Sequence, residues 1–171
     1  MVYRKLPRSR RALAEMPLDA TDPRNPAPSS LATRSVMIAN VGRGTTPELV
    51  LRRALRAAGA RGYRVNLRVE GVRPDIVFGK PRVAVFVHGC YWHRCPICRF
   101  AVPRSNREFW LAKFRRNRAR DRMKRRQLER GGWHVIEVWE HEVRDTLERV
   151  VRTIGKGLGR VSAPKGHSTR S

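Results

Sequence analysis

Acidic residues are scarce. Fourteen Asp and Glu face 38 Lys and Arg in a chain of 171 residues, a formal net charge of +24 with a pI near 11.7. Such an excess repels itself in a compact state and calls for a polyanionic partner. Nucleic acid comes first. An anionic membrane surface comes second, because the basic helix described below has no clean apolar face. Long hydrophobic runs are also missing: no stretch approaches the roughly 18 apolar residues of a membrane span. The N-terminus is basic but has no apolar core segment, so it does not read as a signal peptide. The expected compartment is a reducing cytoplasm. Cysteine is limited to Cys90, Cys95 and Cys98. In that compartment three clustered cysteines read as metal ligands, not as a disulfide framework. Hydrophobic content of 40% is still enough for one domain with its own core.

The chain is organised around residues 82–98. The apolar run Val83 to Val87 reads as a buried strand that delivers His88 to its end and breaks at Gly89. Cys90, Tyr91, Trp92, His93, Cys95 and Cys98 follow within nine residues. Upstream, Asp75-Ile76-Val77-Phe78 starts another strand, and Gly79-Lys80-Pro81 makes a tight turn, so the two strands should form an antiparallel hairpin. That hairpin brings Asp75 near the end where Val87 and His88 arrive.

The flanks follow. Five of the eleven prolines lie in residues 1–33, which read as a disordered basic N-terminal tail. Residues 34–155 read as the folded domain, opening with an arm at 34–46, and residues 156–171 as a second disordered basic tail. Thr46 is expected to N-cap a helix with Pro47 at its first position, Glu48 in its first turn and Gly59 as its stop. Alternation over Tyr63–Val69 predicts a half-buried strand. Residues 104–130 predict a long helix, capped by Ser105 and closed by Gly131-Gly132, with twelve Lys or Arg in it. This density points to phosphate contacts, with Arg115, Arg116 and Arg118 among the candidates. Residues 133–139 predict a strand, and residues 141–154 a last amphipathic helix.

Cys90, Cys95 and Cys98 have the spacing C-x4-C-x2-C, which supplies three ligands of a tetrahedral Zn2+ site. The fourth is expected from His141, which follows a strand of the same sheet. His93, inside the cluster, is the rival. The site looks structural.

Arg73-Pro74-Asp75 before a strand that pairs with one ending in His88 resembles the layout of restriction-endonuclease-like folds: α/β, with a mixed β-sheet flanked by helices. The combination is more specific. Pro74 to Val77, Val85 to His93, Glu108 to Trp110, Asn117 to Asp121, Gly132-Trp133 and Val138 to Glu140 together closely resemble the very short patch repair DNA mismatch endonucleases of bacteria. The likeness covers about residues 34–150. It implies a Mg2+-dependent nick 5′ to the thymine of a T:G mismatch left by deamination of 5-methylcytosine. The partner is then double-stranded DNA, with other mismatch-repair proteins as further partners, and the enzyme a monomer.

Residue by residue, the resemblance makes Asp75 the metal-binding aspartate and Glu48 a glutamate that reaches the metal through water. It makes His93 the general base and His88 a second active-site histidine. Tyr91, Trp92 and Trp110 become wedges into the duplex, and Met37 an arm residue entering from the minor groove. Val87 stands where the family often has threonine, at a position that gives its backbone carbonyl to the metal. Some members carry histidine at Cys95 and cysteine at His141, so the zinc ligands are rearranged but still total four. A nuclease of the same fold with another target and a non-catalytic zinc-stabilised DNA-binding protein are the alternatives.

Overall fold

The computed structural model describes residues 44–159. Met37 with the rest of residues 34–43 of the expected arm, the whole expected N-terminal tail and residues 160–171 of the C-terminal one lie outside the described residues. Residues 44–101 and 113–159 form one compact unit, while residues 102–112 belong to a second.

The first helix, α1, is Thr46–Ala57. Its N-cap is Thr45, one residue before the expected Thr46. Glu48 decides this register: its carboxylate accepts from the backbone N–H of Gly44 (3.0 Å) and Thr45 (3.4 Å) and from the Thr45 hydroxyl (2.9 Å). It thereby satisfies donors that a helix start leaves orphaned.

Four strands follow: β1 Tyr63–Arg64, β2 Ile76–Phe78, β3 Val83–His88 and β4 His134–Trp139. The sheet order is β1-β2-β3-β4. β2 pairs antiparallel with both β1 and β3, and β3 pairs parallel with β4, with Val85 opposite Ile136 and His88 opposite Trp139. The expected strand over Tyr63–Val69 shrinks to two residues in the sheet. Asn66 takes a positive φ of 57° and ends it, and Val69 returns to pair with Val72 around a turn. The alternation there was not matched by a neighbouring strand to cover it.

Between β3 and β4 runs α2, Arg107–Arg130. It starts after Asn106, which has φ of 51°, and not at Ser105. In the second unit, the Trp110 N–H donates to the Asn106 carbonyl (3.1 Å), and the Phe109 and Trp110 rings stand edge to face 5.3 Å apart. The last expected helix divides at Thr146 into α3, Glu140–Asp145, and α4, Leu147–Gly157. Thr146 has φ −140° and its hydroxyl donates to the Glu142 carbonyl (3.1 Å), so the helical path is interrupted there. Helix α4 takes in Lys156 and Gly157, which the sequence assigned to the tail.

Residues 83–86 of β3 are buried on both sides, which explains their unbroken apolar run. Val83 and Val85 face a core built with Leu51, Leu55, Ile136, Val150 and Ile154. Ala84 and Phe86 face a smaller one with Val72 and Leu128. Helices α1, α3 and α4 thus cover one face of the mixed sheet, and the end of α2 covers the other, as the sequence led one to expect. Among the described residues, no helix is long and apolar enough to cross a membrane.

Candidate active site and cysteine cluster

The β2–β3 hairpin fixes Asp75. Its N–H donates to the Val85 carbonyl (3.1 Å), and its Oδ2 accepts the Val87 N–H (2.8 Å). Burial pushes the Asp75 carboxyl above its ordinary range. The Val87 N–H works against that, and the negative charge of Glu48 adds to it. Two neighbouring carboxylates, one of them with a strand-end backbone beside it, form a hard-oxygen donor set that suits a divalent cation. Glu48 is buried and also ion-paired with Arg52 at 2.7 Å.

At the end of β3 the chain presents a second group. His88, His93 and Asp121 place one ligand-capable atom each within 4.8 Å of the others. His93 Nδ1 lies 2.5 Å from Asp121 Oδ2. Burial pushes the Asp121 carboxyl up, but the His93 hydrogen bond and charge outweigh it and hold it below its usual range. The His88 ring centre is 4.5 Å from that of His93, and His88 Nε2 faces Glu137 Oε1 at 3.4 Å. Glu137 in turn accepts from Arg125 (2.9 Å). The hydrogen bond from His88 keeps the Glu137 carboxyl low despite burial.

Asp121 and Glu137 carry no role in the sequence reading. The signal was present for Asp121: it shares a helix face with Phe114 and Asn117, seven and four residues before it, as an acid amid arginines. That face meets the loop after β3 residue by residue. Phe114 stands edge to face with Tyr91 (5.5 Å), Asn117 Nδ2 donates to the Trp92 carbonyl (3.2 Å), and Asp121 takes His93. Lys113 Nζ sits 5.2 Å from the centre of the Trp92 ring. Tyr91 and Trp92 are half-buried, edge to face at 5.1 Å. Trp110 is buried, whereas Arg115, Arg116 and Arg118 are exposed on α2.

The cysteines form a separate group. Cys90, Cys95, Cys98 and His141 bring their ligand atoms within 4.8 Å of one another. His141 Nδ1 is 3.3 Å from Cys90 Sγ and 3.6 Å from Cys95 Sγ. The rival His93 is engaged with Asp121 instead. All three cysteines are free. Burial pushes the Cys90 thiol up to about 12. Burial does the same to Cys95, but the backbone N–H groups of Cys98 and Ile97 outweigh it and bring that thiol below its ordinary value. Three sulfurs and an imidazole nitrogen converging in this way are the donor set of a closed tetrahedral Zn2+ site. Around it, the Cys90 N–H donates to Glu140 Oε2 (3.1 Å) and the His141 N–H to Cys90 Sγ (3.4 Å), which lock the loop to the start of α3.

The family model described as DNA mismatch endonuclease Vsr matches residues 29–98. A type II nicking enzyme, V.NaeI of Lentzea aerocolonigenes, is 42% identical over 135 residues, covering 75% of this chain and 80% of the relative. The DNA mismatch endonuclease Vsr of Escherichia coli is 40% identical over 114 residues, covering 66% of this chain and 72% of the relative. Among solved structures, the catalytic domain of a homing endonuclease is similar at 24% identity and a TM-score of 0.48, covering 70% of this chain and all of that domain. The chain belongs to the Vsr family of DNA endonucleases.

Proposed function

We propose that the protein is a Mg2+-dependent endonuclease that nicks one DNA strand 5′ to the thymine of a T:G mismatch and so opens short-patch repair of deaminated 5-methylcytosine. The observation that carries this reading is the His93–Asp121 pair, set beside His88 at the strand end that Asp75 also reaches. The nicking and mismatch activities named for its relatives support the reaction class.

The chemistry follows from the residues. Asp121 accepts a hydrogen bond from His93 Nδ1–H, which orients the ring and leaves Nε2 as the basic nitrogen. His93 Nε2 then takes a proton from a water whose oxygen attacks phosphorus. The bond to the 3′ oxygen breaks, and that oxygen takes a proton from solvent water, leaving a 3′ hydroxyl and a 5′ phosphate. Asp75, the Val87 carbonyl and Glu48 through water would hold the magnesium ion. When bound, it polarises the phosphoryl group and stabilises the leaving oxygen. His88, held by Glu137, stands beside His93 as the second histidine of the site.

Tyr91 and Trp92 act as wedges. Opening a base step costs a few kcal/mol and costs least at a mismatch, so deformability itself contributes selectivity. Asn117 fixes the Trp92 backbone, and Arg115, Arg116 and Arg118 neutralise phosphates. Cys90, Cys95, Cys98 and His141 hold a structural Zn2+ that pins the loop carrying His93. The test is a nicking assay on T:G, U:G and C:G duplexes in one sequence context. Cleavage confined to one strand of the mismatched duplexes supports the reading, and equal cleavage of the C:G duplex refutes it.

A further inference from the structure

The second half of α2 carries a concave, positively charged face that the nicking site does not use. Arg122, Arg126 and Arg130 are exposed and recur every four residues. They therefore stand on one side of the helix, about 6 Å apart along its axis. With Ala119, Met123 and Gln127 they line a groove of about 740 Å³ whose other wall is Glu70 and Gly131. Gly131 is needed there, because a Cβ at that position would meet Glu70 Cγ at 2.6 Å.

The nearby acids are engaged elsewhere. Asp121 holds His93, and Glu129 accepts from Arg125 at 2.8 Å. Glu70 faces Arg82 at 3.7 Å and the Trp133 indole at 3.4 Å. Among the ion pairs of the described residues, none includes Arg122, Arg126 or Arg130. Like charges four apart on a helix destabilise it, so an unpaired row of them calls for an anionic occupant. Met123, 61% exposed in the middle of the row, offers an apolar surface to the sugar edge of a nucleic-acid backbone.

We propose that this groove is a second phosphate track, which holds the backbone of a duplex DNA segment beyond the nicked site. Arg130 lies nine residues past Asp121, about 14 Å along the helix axis. Evenly spaced guanidinium groups on a rigid helix suit the regular charges of a duplex better than the irregular charges of an acidic peptide. The track goes beyond the nicking reading and needs only that the family's substrate is DNA, so binding to matched duplex tests it without any cleavage.

The experiment compares two full-length variants. One is Arg122→Gln/Arg126→Gln/Arg130→Gln. The control, Arg149→Gln/Arg152→Gln/Lys156→Gln, removes the same charge from an exposed face of α4, whose buried residues belong to the opposite core. Glutamine keeps helix propensity in both. Affinity for short and long matched duplexes is read by fluorescence anisotropy against salt. On the long duplex the groove variant should lose about 0.9 of the log–log salt slope per phosphate contact, up to about 2.7 in all. The control should lose much less, and the two should agree on a short duplex that covers only the nicking site. Equal slope losses in both variants would overturn the track by assigning the effect to net charge. Unchanged DNA binding with lost binding to polyglutamate would overturn it in favour of an acidic protein. Nicking of a short T:G duplex by the groove variant, measured in parallel, keeps this outcome separate from that of the nicking reading.

Discussion

Asp121 Oδ2 lies 2.5 Å from His93 Nδ1, which joins the middle of the long basic helix to the loop that follows β3. That one contact fixes the ring of a histidine in an aromatic loop.

Asp121→Asn tests the orientation. The amide keeps the shape but no longer accepts in the same tautomeric arrangement. The expected loss in kcat is about 10²- to 10⁴-fold, the range of a misoriented general base, with affinity for duplex DNA unchanged. Single-turnover nicking and equilibrium binding, measured side by side, check this. A parallel fall in binding would count against an orienting role.

Asp75 separates stability from activity. Its folded-state pKa lies above the ordinary 3.8 because of burial and the neighbouring Glu48. The native state therefore keeps this proton at a pH where the unfolded chain has released it. Stability contributed by the group is full below 3.8 and falls as pH rises through the folded value. In metal-free protein at neutral pH, Asp75→Asn should raise Tm, since the amide can still accept the Val87 N–H. It should also abolish nicking. A lower Tm for the variant in chelator would contradict the assigned cause.

Loss of a zinc ion from the cysteine cluster should loosen the loop that carries His93. One zinc per chain is expected by elemental analysis. Both Cys95→Ser and His141→Ala should lose it, with a Tm lower by about 10 °C. His93→Ala should keep the metal and lose nicking. Zinc lost in His93→Ala and retained in His141→Ala would reverse the assignment of the fourth ligand.

Trp92→Ala should narrow the preference for T:G over C:G by about tenfold or more, through lost stacking worth roughly 1–3 kcal/mol. Binding to matched DNA should change little. Anisotropy on the two duplexes reads the difference. An equal loss on both would make Trp92 a general contact.

The parts of the fold and site that could be read from the chain are those written in consecutive residues. Val83 to His88 announces a strand buried on both faces, Gly79-Lys80-Pro81 its hairpin, and C-x4-C-x2-C three of four ligands. The parts that could not are pairings across the fold. Glu137 alternates along β4 like any half-buried residue, and only the parallel register beside β3 turns it toward His88. Val65 and Leu67 alternate as a strand would, yet Asn66 takes a left-handed turn and, among the described residues, they have no partner strand. Thr45 and Thr46 are equivalent caps by composition. What separates them is where the Glu48 carboxylate reaches back.

The most direct test of the account is a strand-resolved nicking assay with Mg2+ or chelator, on T:G and matched C:G duplexes of one sequence. The account predicts a Mg2+-dependent cut in the thymine strand alone, immediately 5′ to the mismatched thymine, and none in the matched duplex. Cleavage of both duplexes alike, or undiminished cleavage in chelator, would contradict it.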